Sequence, residues 1–170
     1  MDQIPVSSIG QDSHRFDMED LKPLVLGGMI IDHPYGLKAN SDGDVLLHSV
    51  INAVSGLTGV NILGETADKL CFEENIKNSA VYLKEALKYL DNIILTHLSI
   101  SIECKTPKLS VHIPAIRKNL SRLIGLSPDH IGITATSGEA LTDFGRGKGI
   151  SVFCILTGVK KTSYIDKSLV

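Results

Sequence analysis

In the stretch IGQDSHRF, Asp12 and His14 stand two residues apart. On an extended strand, residues i and i+2 project to the same side about 7 Å apart, so this carboxylate and imidazole can reach inward to one ion. A third ligand must come from elsewhere, and His48 is the best candidate. It ends the run ANSDGDVLLH, in which Gly43 and an acid-rich turn suggest a loop leading into a helix at a functional site. Asp44 lies one turn before His48 and is expected to orient its imidazole. An Asp-His-His set leaves a tetrahedral zinc with one open position, which is the arrangement of a catalytic site. The competing reading makes His14 and His48 ordinary polar residues and Asp42 and Asp44 helix caps, because D-x-H is a short pattern that arises often by chance.

Two further segments carry groups suited to phosphate. TATSGE places the hydroxyls of Thr136 and Ser137 and the carboxylate of Glu139 just after a strand-like run, and DFGRGKG supplies backbone amides and cations. Phosphate groups and a second metal fit there, and the plainer alternative is a pair of glycine-rich turns. KTPKLSVHIP has the same ambiguity: Lys105 and Lys108 around Pro107 either cradle a nucleotide or form a solvated turn. His33, His97, His112 and His130 are read as structural or surface residues.

The elements that must position these groups alternate between strand and helix. Val6 to Gly10 and Leu24 to Ile31 read as strands, and a helix starts after the cap-type Ser41, with Val45, Leu46, Val50, Ile51, Val54 and Leu57 at helical spacing. A second helix is expected from Ser79 to Leu90. IILTHLSISIECK then alternates cleanly, Leu98, Ile100 and Ile102 on one side and His97, Ser99, Ser101 and Glu103 on the other. Its polar face packs either on a partner subunit or against water. VHIPAIRKNLSRLIGL reads as a helix with Pro114 in its first turn and Gly125 as its stop. Strands near Ile131 to Ala135 and Ile150 to Val159 complete an α+β chain, a mixed sheet with helices on one face.

Composition narrows the classes of function. At 170 residues and 43% hydrophobic content the chain buries one core, so 1–170 reads as a single domain. The net charge of −2 and scattered Lys and Arg residues leave no basic footprint for nucleic acid. No apolar run approaches the ~18 residues of a membrane span, and MDQIPVSS has neither the basic nor the apolar region of a signal peptide. A cytoplasmic protein is expected. Cys71, Cys104 and Cys154 lack metal-type spacing and read as reduced thiols.

Taken in order, D-x-H, S-D-G-D-V-x-x-H, P-K-x-x-x-H-I-P, A-T-x-x-E and G-R-G-x-G span most of the chain. In this series the chain resembles the 2-C-methyl-D-erythritol 2,4-cyclodiphosphate synthase family of the non-mevalonate isoprenoid pathway. The resemblance implies a homotrimer with active sites between subunits and one zinc ion in each. It also implies a reaction in which the 2-phosphate of a CDP-methylerythritol phosphate attacks the β-phosphate, closing a cyclic diphosphate and expelling CMP.

Carried over by position, Asp12, His14 and His48 match the family's zinc ligands, and Glu139 matches the acid that binds a second divalent cation, Mg2+ or Mn2+. Ala135, Thr136 and Ser137 fall at the phosphate-contacting segment. Cys104, Thr106, Pro107, Lys108 and Leu109 match a cytidine-binding segment given by the neighbouring subunit. Ser41 and Asp42 match the mobile segment beside the diphosphate, and Arg146 the Arg of G-R-G that lies toward the trimer axis. The chain also departs from the family. Asn40 stands where His is usual, Asn61-Ile62-Leu63 replaces D-I-G, ETADKLCFEEN replaces F-P-D-T-D, and the aromatic near G-R-G is displaced to Phe144. Asn40 removes a cationic donor near the diphosphate, and the D-I-G and F-P-D-T-D segments are those that hold the polyol hydroxyls in the family, so Asp68, Glu73 and Glu74 are the candidate replacement carboxylates. Two alternatives stay open: another zinc-dependent phosphoryl transfer or hydrolysis on a CDP-linked substrate, and a trimer that binds metal and a phosphorylated or isoprenoid ligand without catalysis.

Overall fold

The structure is a computed structural model and describes residues 2–162. Its centre is a four-stranded sheet made from β1 (Asp2–Arg15), β4 (Ile93–Glu103), β5 (Ile131–Thr136) and β6 (Gly149–Thr162), in the order β1-β6-β4-β5. β6 runs antiparallel to both β1 and β4, whereas β4 and β5 are parallel and joined through a helix. The sheet is therefore mixed, as the alternation of elements requires.

Helices cover one face. α1 (Val45–Thr58) lies on β1 and β6, and α4 (Ile113–Ile124) packs beside β5. The alternation in β4 holds, with Leu98, Ile100 and Ile102 buried under this layer and Ser99 and Ser101 exposed on the other face. That outer face also carries Ile9, 67% exposed, and Phe153 and Ile155, each 50% exposed. A Cβ at Gly10 would collide with the Ser49 carbonyl oxygen of α1, so glycine there lets strand and helix approach closely.

Two strand expectations change. β1 does not end before the D-x-H pair but runs through it to Arg15, paired with β6 along its whole length, which puts both ligand candidates on a regular strand. Leu24 to Ile31 is not one strand. It is a hairpin of β2 (Leu24–Leu26) and β3 (Met29–Ile31), because Gly27 and Gly28 both take positive φ, 62° and 74°, and turn the chain.

The segment ETADKLCFEEN is largely helical: a single turn, α2 (Glu65–Asp68), continues into a π-helical turn over Lys69–Glu73. α3 (Ser79–Leu87) follows and tightens to a 3₁₀ turn through Leu90, with Leu83 and Ala86 on the buried side. α4 starts with Pro114 in its first turn and ends at Gly125 in the left-handed region. Among the described residues no helix is long and apolar enough to cross a membrane.

Candidate metal centre

β1 and α1 bring Asp12, His14 and His48 together, with one ligand atom from each lying within 4.8 Å of the others. Strand pleat puts Asp12 and His14 on the helix-facing side, and His48 meets them from the first turn of α1, buried to 8% exposure. His14 Nε2 and His48 Nδ1 stand 2.9 and 3.0 Å from the same oxygen, Asp12 Oδ2.

The second nitrogen of each ring is held by the fold. His14 Nδ1 lies 3.0 Å from the Lys38 carbonyl, so it carries the hydrogen and leaves Nε2 as a lone pair. His14 Nε2 is buried with no hydrogen bond despite its closeness to Asp12, since the geometry there is not that of a donor and acceptor. Three ligand atoms converge on one point, His14 Nε2 orphaned and His48 Nδ1 at hydrogen-bond distance from Asp12 Oδ2, and the set fits a divalent cation of the imidazole-preferring kind. The metal-free site has matching electrostatics. Burial pushes the Asp12 carboxyl up, but the His14 and His48 side chains outweigh it and hold it well below the usual range. The Asp12 carboxylate raises His14 in turn, against the pull of burial.

Asp44 does not play the part expected of it. Its carboxylate caps α1 by accepting from Leu47 N at 2.9 Å and also takes the N–H groups of Gly27 and Gly28 in the β2–β3 turn. It is fully buried on these backbone partners and makes no hydrogen bond to the His48 ring. That contact comes instead from Ser79, whose Oγ lies 2.9 Å from His48 Nε2. Asp42 in turn accepts from the Ser79 hydroxyl and from Ser79 N at 2.9 Å. Sequence reading passed over Ser79 because a serine at a helix start looks like a cap, although Asn78 is the residue that caps α3. Ser41 is more distant, with its Oγ 3.5 Å from the same nitrogen.

A cavity of about 460 Å³ opens beside the three candidate ligands. Asn40 and Ser41 line it on one side and Asp68, Cys71 and Tyr82 on the other. Of the three candidate carboxylates, Asp68 reaches this lining, and Glu73 and Glu74 do not. Asn61 is exposed outside it, beside Gly64. The loop wall is pinned by Lys22, whose Nζ donates to the carbonyls of Ala39 at 2.8 Å and Ser41 at 3.2 Å.

The phosphate- and nucleotide-type segments gather at the other edge of the sheet. Cys104 N donates to Thr136 O at 2.9 Å, which joins the Cys104–Leu109 segment to Ala135, Thr136 and Ser137 at the ends of parallel β4 and β5. Glu139 is exposed there, its Oε1 accepting from Ser137 Oγ at 3.1 Å, with a left-handed φ of 47°. Thr106 and Lys108 are exposed, Pro107 is half-buried, and Leu109 is buried. Half-buried Phe144 and exposed Arg146 sit in the loop that follows, where Arg146 Nη1 lies 3.3 Å from Asp143 Oδ1. Register places Asp12, Val152, Ile102 and Ala135 in one row across all four strands. Three inter-strand steps amount to about 14 Å, so within one chain Asp12 and Ala135 stand at opposite edges of the sheet, with the turn that carries Glu139 following Ala135.

Comparison with known proteins agrees with this geometry. The model of the YgbB family matches residues 6–158. The chain is 47% identical over 158 residues to the 2-C-methyl-D-erythritol 2,4-cyclodiphosphate synthase of Chlamydia trachomatis serovar D, covering 92% of this chain and 89% of the relative. It is 48% identical over 151 residues to that of Chlamydia muridarum, with coverage of 88% and 85%. Among solved structures, bifunctional IspDF of Campylobacter jejuni superposes with a TM-score of 0.84 at 30% identity, over 94% of this chain and 43% of that one. IspF of Plasmodium falciparum in complex with CDP gives 0.76 at 25% identity, over 93% and 97%. The chain therefore belongs to the YgbB family, the 2-C-methyl-D-erythritol 2,4-cyclodiphosphate synthases, lyases of isoprenoid biosynthesis.

Proposed function

We propose that the Asp12–His14–His48 cradle holds zinc, and that beside it the chain converts 4-diphosphocytidyl-2-C-methyl-D-erythritol 2-phosphate to 2-C-methyl-D-erythritol 2,4-cyclodiphosphate and CMP. The observation that carries the reading is the convergence of three ligand atoms, one buried and orphaned, at the wall of the cavity. When bound, zinc supplies Lewis acidity toward a phosphoryl oxygen. The attacking phosphate is already anionic near neutral pH, so the chain's own task is positioning and charge neutralisation rather than base catalysis.

Asn40 and Ser41 present polar groups to the diphosphate from the pinned loop, and Asp68 accepts from hydroxyls of the polyol, filling a place the family gives to another segment. Thr136 and Ser137 bind phosphate, Glu139 holds a second cation, Mg2+ or Mn2+, and Cys104 to Leu109, with Lys108 as the cation, receive the cytidine. The separation of about 14 Å across the sheet supports a site completed by a neighbouring copy. The exposed Ile9, Phe153 and Ile155 support a homotrimer packed through this outer face, with Arg146 toward its axis.

Incubation of the zinc-loaded chain with the CDP-linked substrate tests the reading. CMP together with the cyclic diphosphate supports it. CMP with an open-chain product, or no turnover at any metal loading, overturns it.

A further inference from the structure

Two residues that stand outside the ion's reach determine which nitrogen of His48 faces it. Ser79 is fully buried at the first position of α3, and its hydroxyl carries a single proton. The Asp42 carboxylate only accepts, and it takes two donors from Ser79, the backbone N–H on Oδ2 at 2.9 Å and the hydroxyl on Oδ1, with Asp44 N donating to Oδ1 at 3.2 Å as well. With its proton committed to Asp42, Ser79 Oγ accepts from His48 Nε2 at 2.9 Å. His48 Nε2 then carries a ring hydrogen, which frees Nδ1 for a cation at the point where Asp12 and His14 converge; without a cation, Asp12 Oδ2, 3.0 Å from Nδ1, is the acceptor that competes for that hydrogen. The Ser41 hydroxyl, 3.5 Å from the same Nε2, is a long second neighbour and accepts from Gly43 N at 3.2 Å.

We propose that Asp42 and Ser79 are positioning residues that lock His48 in its metal-accepting tautomer, so that the loop carrying Asp42 sets the affinity of the metal centre. Asp42 is itself seated by its N–H on the Lys77 carbonyl at 2.8 Å, and the loop just before it by Lys22. The wall of the cavity and the lock on the ligand are thus one continuous segment. This inference rests on the metal-site reading above.

The test is the Asp42→Asn variant. Of the two backbone donors on Asp42, Ser79 N–H at 2.9 Å is nearer than Asp44 N–H at 3.2 Å, so the amide oxygen turns to Ser79 N–H, the amide NH2 faces Ser79 Oγ, and Asp44 N–H gives up its acceptor. The hydroxyl, now accepting from the amide, gives its proton to His48 Nε2 and drives the ring to the Nδ1–H form. Long-range 1H–15N correlation of the full metal-free chain at about pH 8, above the ordinary imidazole range, reads the tautomer. Wild type should show His48 as Nε2–H, Asp42→Asn as Nδ1–H, and Ser79→Ala a mixture. Competition with a chelator of known affinity should show zinc bound about 10- to 100-fold more weakly by Asp42→Asn. Ser79→Thr, which keeps the hydroxyl, should restore both readouts.

Nδ1–H in the wild type overturns the lock, as does Asp42→Asn that keeps Nε2–H and a zinc affinity within about twofold of wild type. If Asp42→Asn does not fold, Ser79→Ala against Ser79→Thr decides by the same readouts. A wild-type chain that binds no zinc overturns the metal reading, while the ring signals still decide the lock.

Discussion

His14 Nε2 and Asp12 Oδ2 face one another across 2.9 Å with no hydrogen bond between them, an arrangement that either a proton or a cation resolves. The two compete. The Asp12 carboxylate raises His14 above its ordinary 6.5, so the proton-bridged pair contributes stability fully below about that value and loses it as pH rises through the raised one. Asp12, depressed below 3.8, stays ionised over this window, and its contribution is lost only as pH falls through its own lowered value. The metal-free chain should therefore melt at a lower temperature at about pH 8 than at about pH 6, while zinc affinity falls about tenfold per pH unit below the raised pKa. Calorimetry of both forms checks this, and a pH response of the same sign in each would count against it.

Asp44→Ala should be a stability variant rather than a metal variant. It removes the cap of α1 and leaves the Leu47, Gly27 and Gly28 donors without their acceptor, an expected loss of about 3 kcal/mol. Denaturant unfolding measures the loss, and metal analysis of the folded fraction should give an unchanged zinc content. Depleted zinc at full stability would return Asp44 to the role of ring orienter.

Ala140 takes a φ of 60° directly after Glu139 at 47°, two left-handed residues without glycine. Such a backbone costs about 1 kcal/mol or more for a residue with a Cβ. Ala140→Gly should accordingly leave stability within about 0.5 kcal/mol of wild type or raise it, where Ala53→Gly inside α1 should cost at least about 1 kcal/mol. Equal losses at the two positions would mean that the turn stores no strain.

Burial pushes the Cys104 thiol up to about 12 and the Cys154 thiol up to about 11. Each donates its hydrogen to a carbonyl, Thr106 O at 2.9 Å and Ser49 O at 3.3 Å. Neither forms the reactive thiolate at about pH 8, so iodoacetamide should leave both unmodified in the native chain and alkylate both after unfolding. Peptide mass spectrometry locates the label, and rapid native labelling at either would sink the prediction.

The outer face of the sheet should be an interface between copies. Phe153→Glu places a charge beside Ile155 and, across the β1–β6 pair, close to Ile9. Light scattering should show a trimer for the wild type and monomer for the variant. A variant that remains trimeric shows that this face is not the one that packs.

Strands and helices were legible where periodicity is local. Leu98, Ile100 and Ile102 alternate because one face of β4 is buried, and Pro114 and Gly125 bound α4 because each has a backbone preference of its own. The clustering of the D-x-H pair with His48 was legible because strand pleat and helix phase put them on inward faces. The Leu24–Ile31 segment was misread as one strand because its hydrophobic pattern continues through a turn that depends on two glycines taking positive φ.

The amino-acid sequence by itself determined the mixed α+β architecture, the three candidate ligands that the fold brings together and the family, since these rest on residue type and short-range spacing. Only the tertiary structure decided how the ligands are held. The Lys38 carbonyl that orients His14 has no side-chain signature, and Ser79 meets His48 from 31 positions away. Asp44, adjacent to the site in sequence, was turned from it by backbone donors 16 and 17 positions back. Such partners depend on the path of loops through space, where a buried carboxylate settles on whichever donors the fold brings to it.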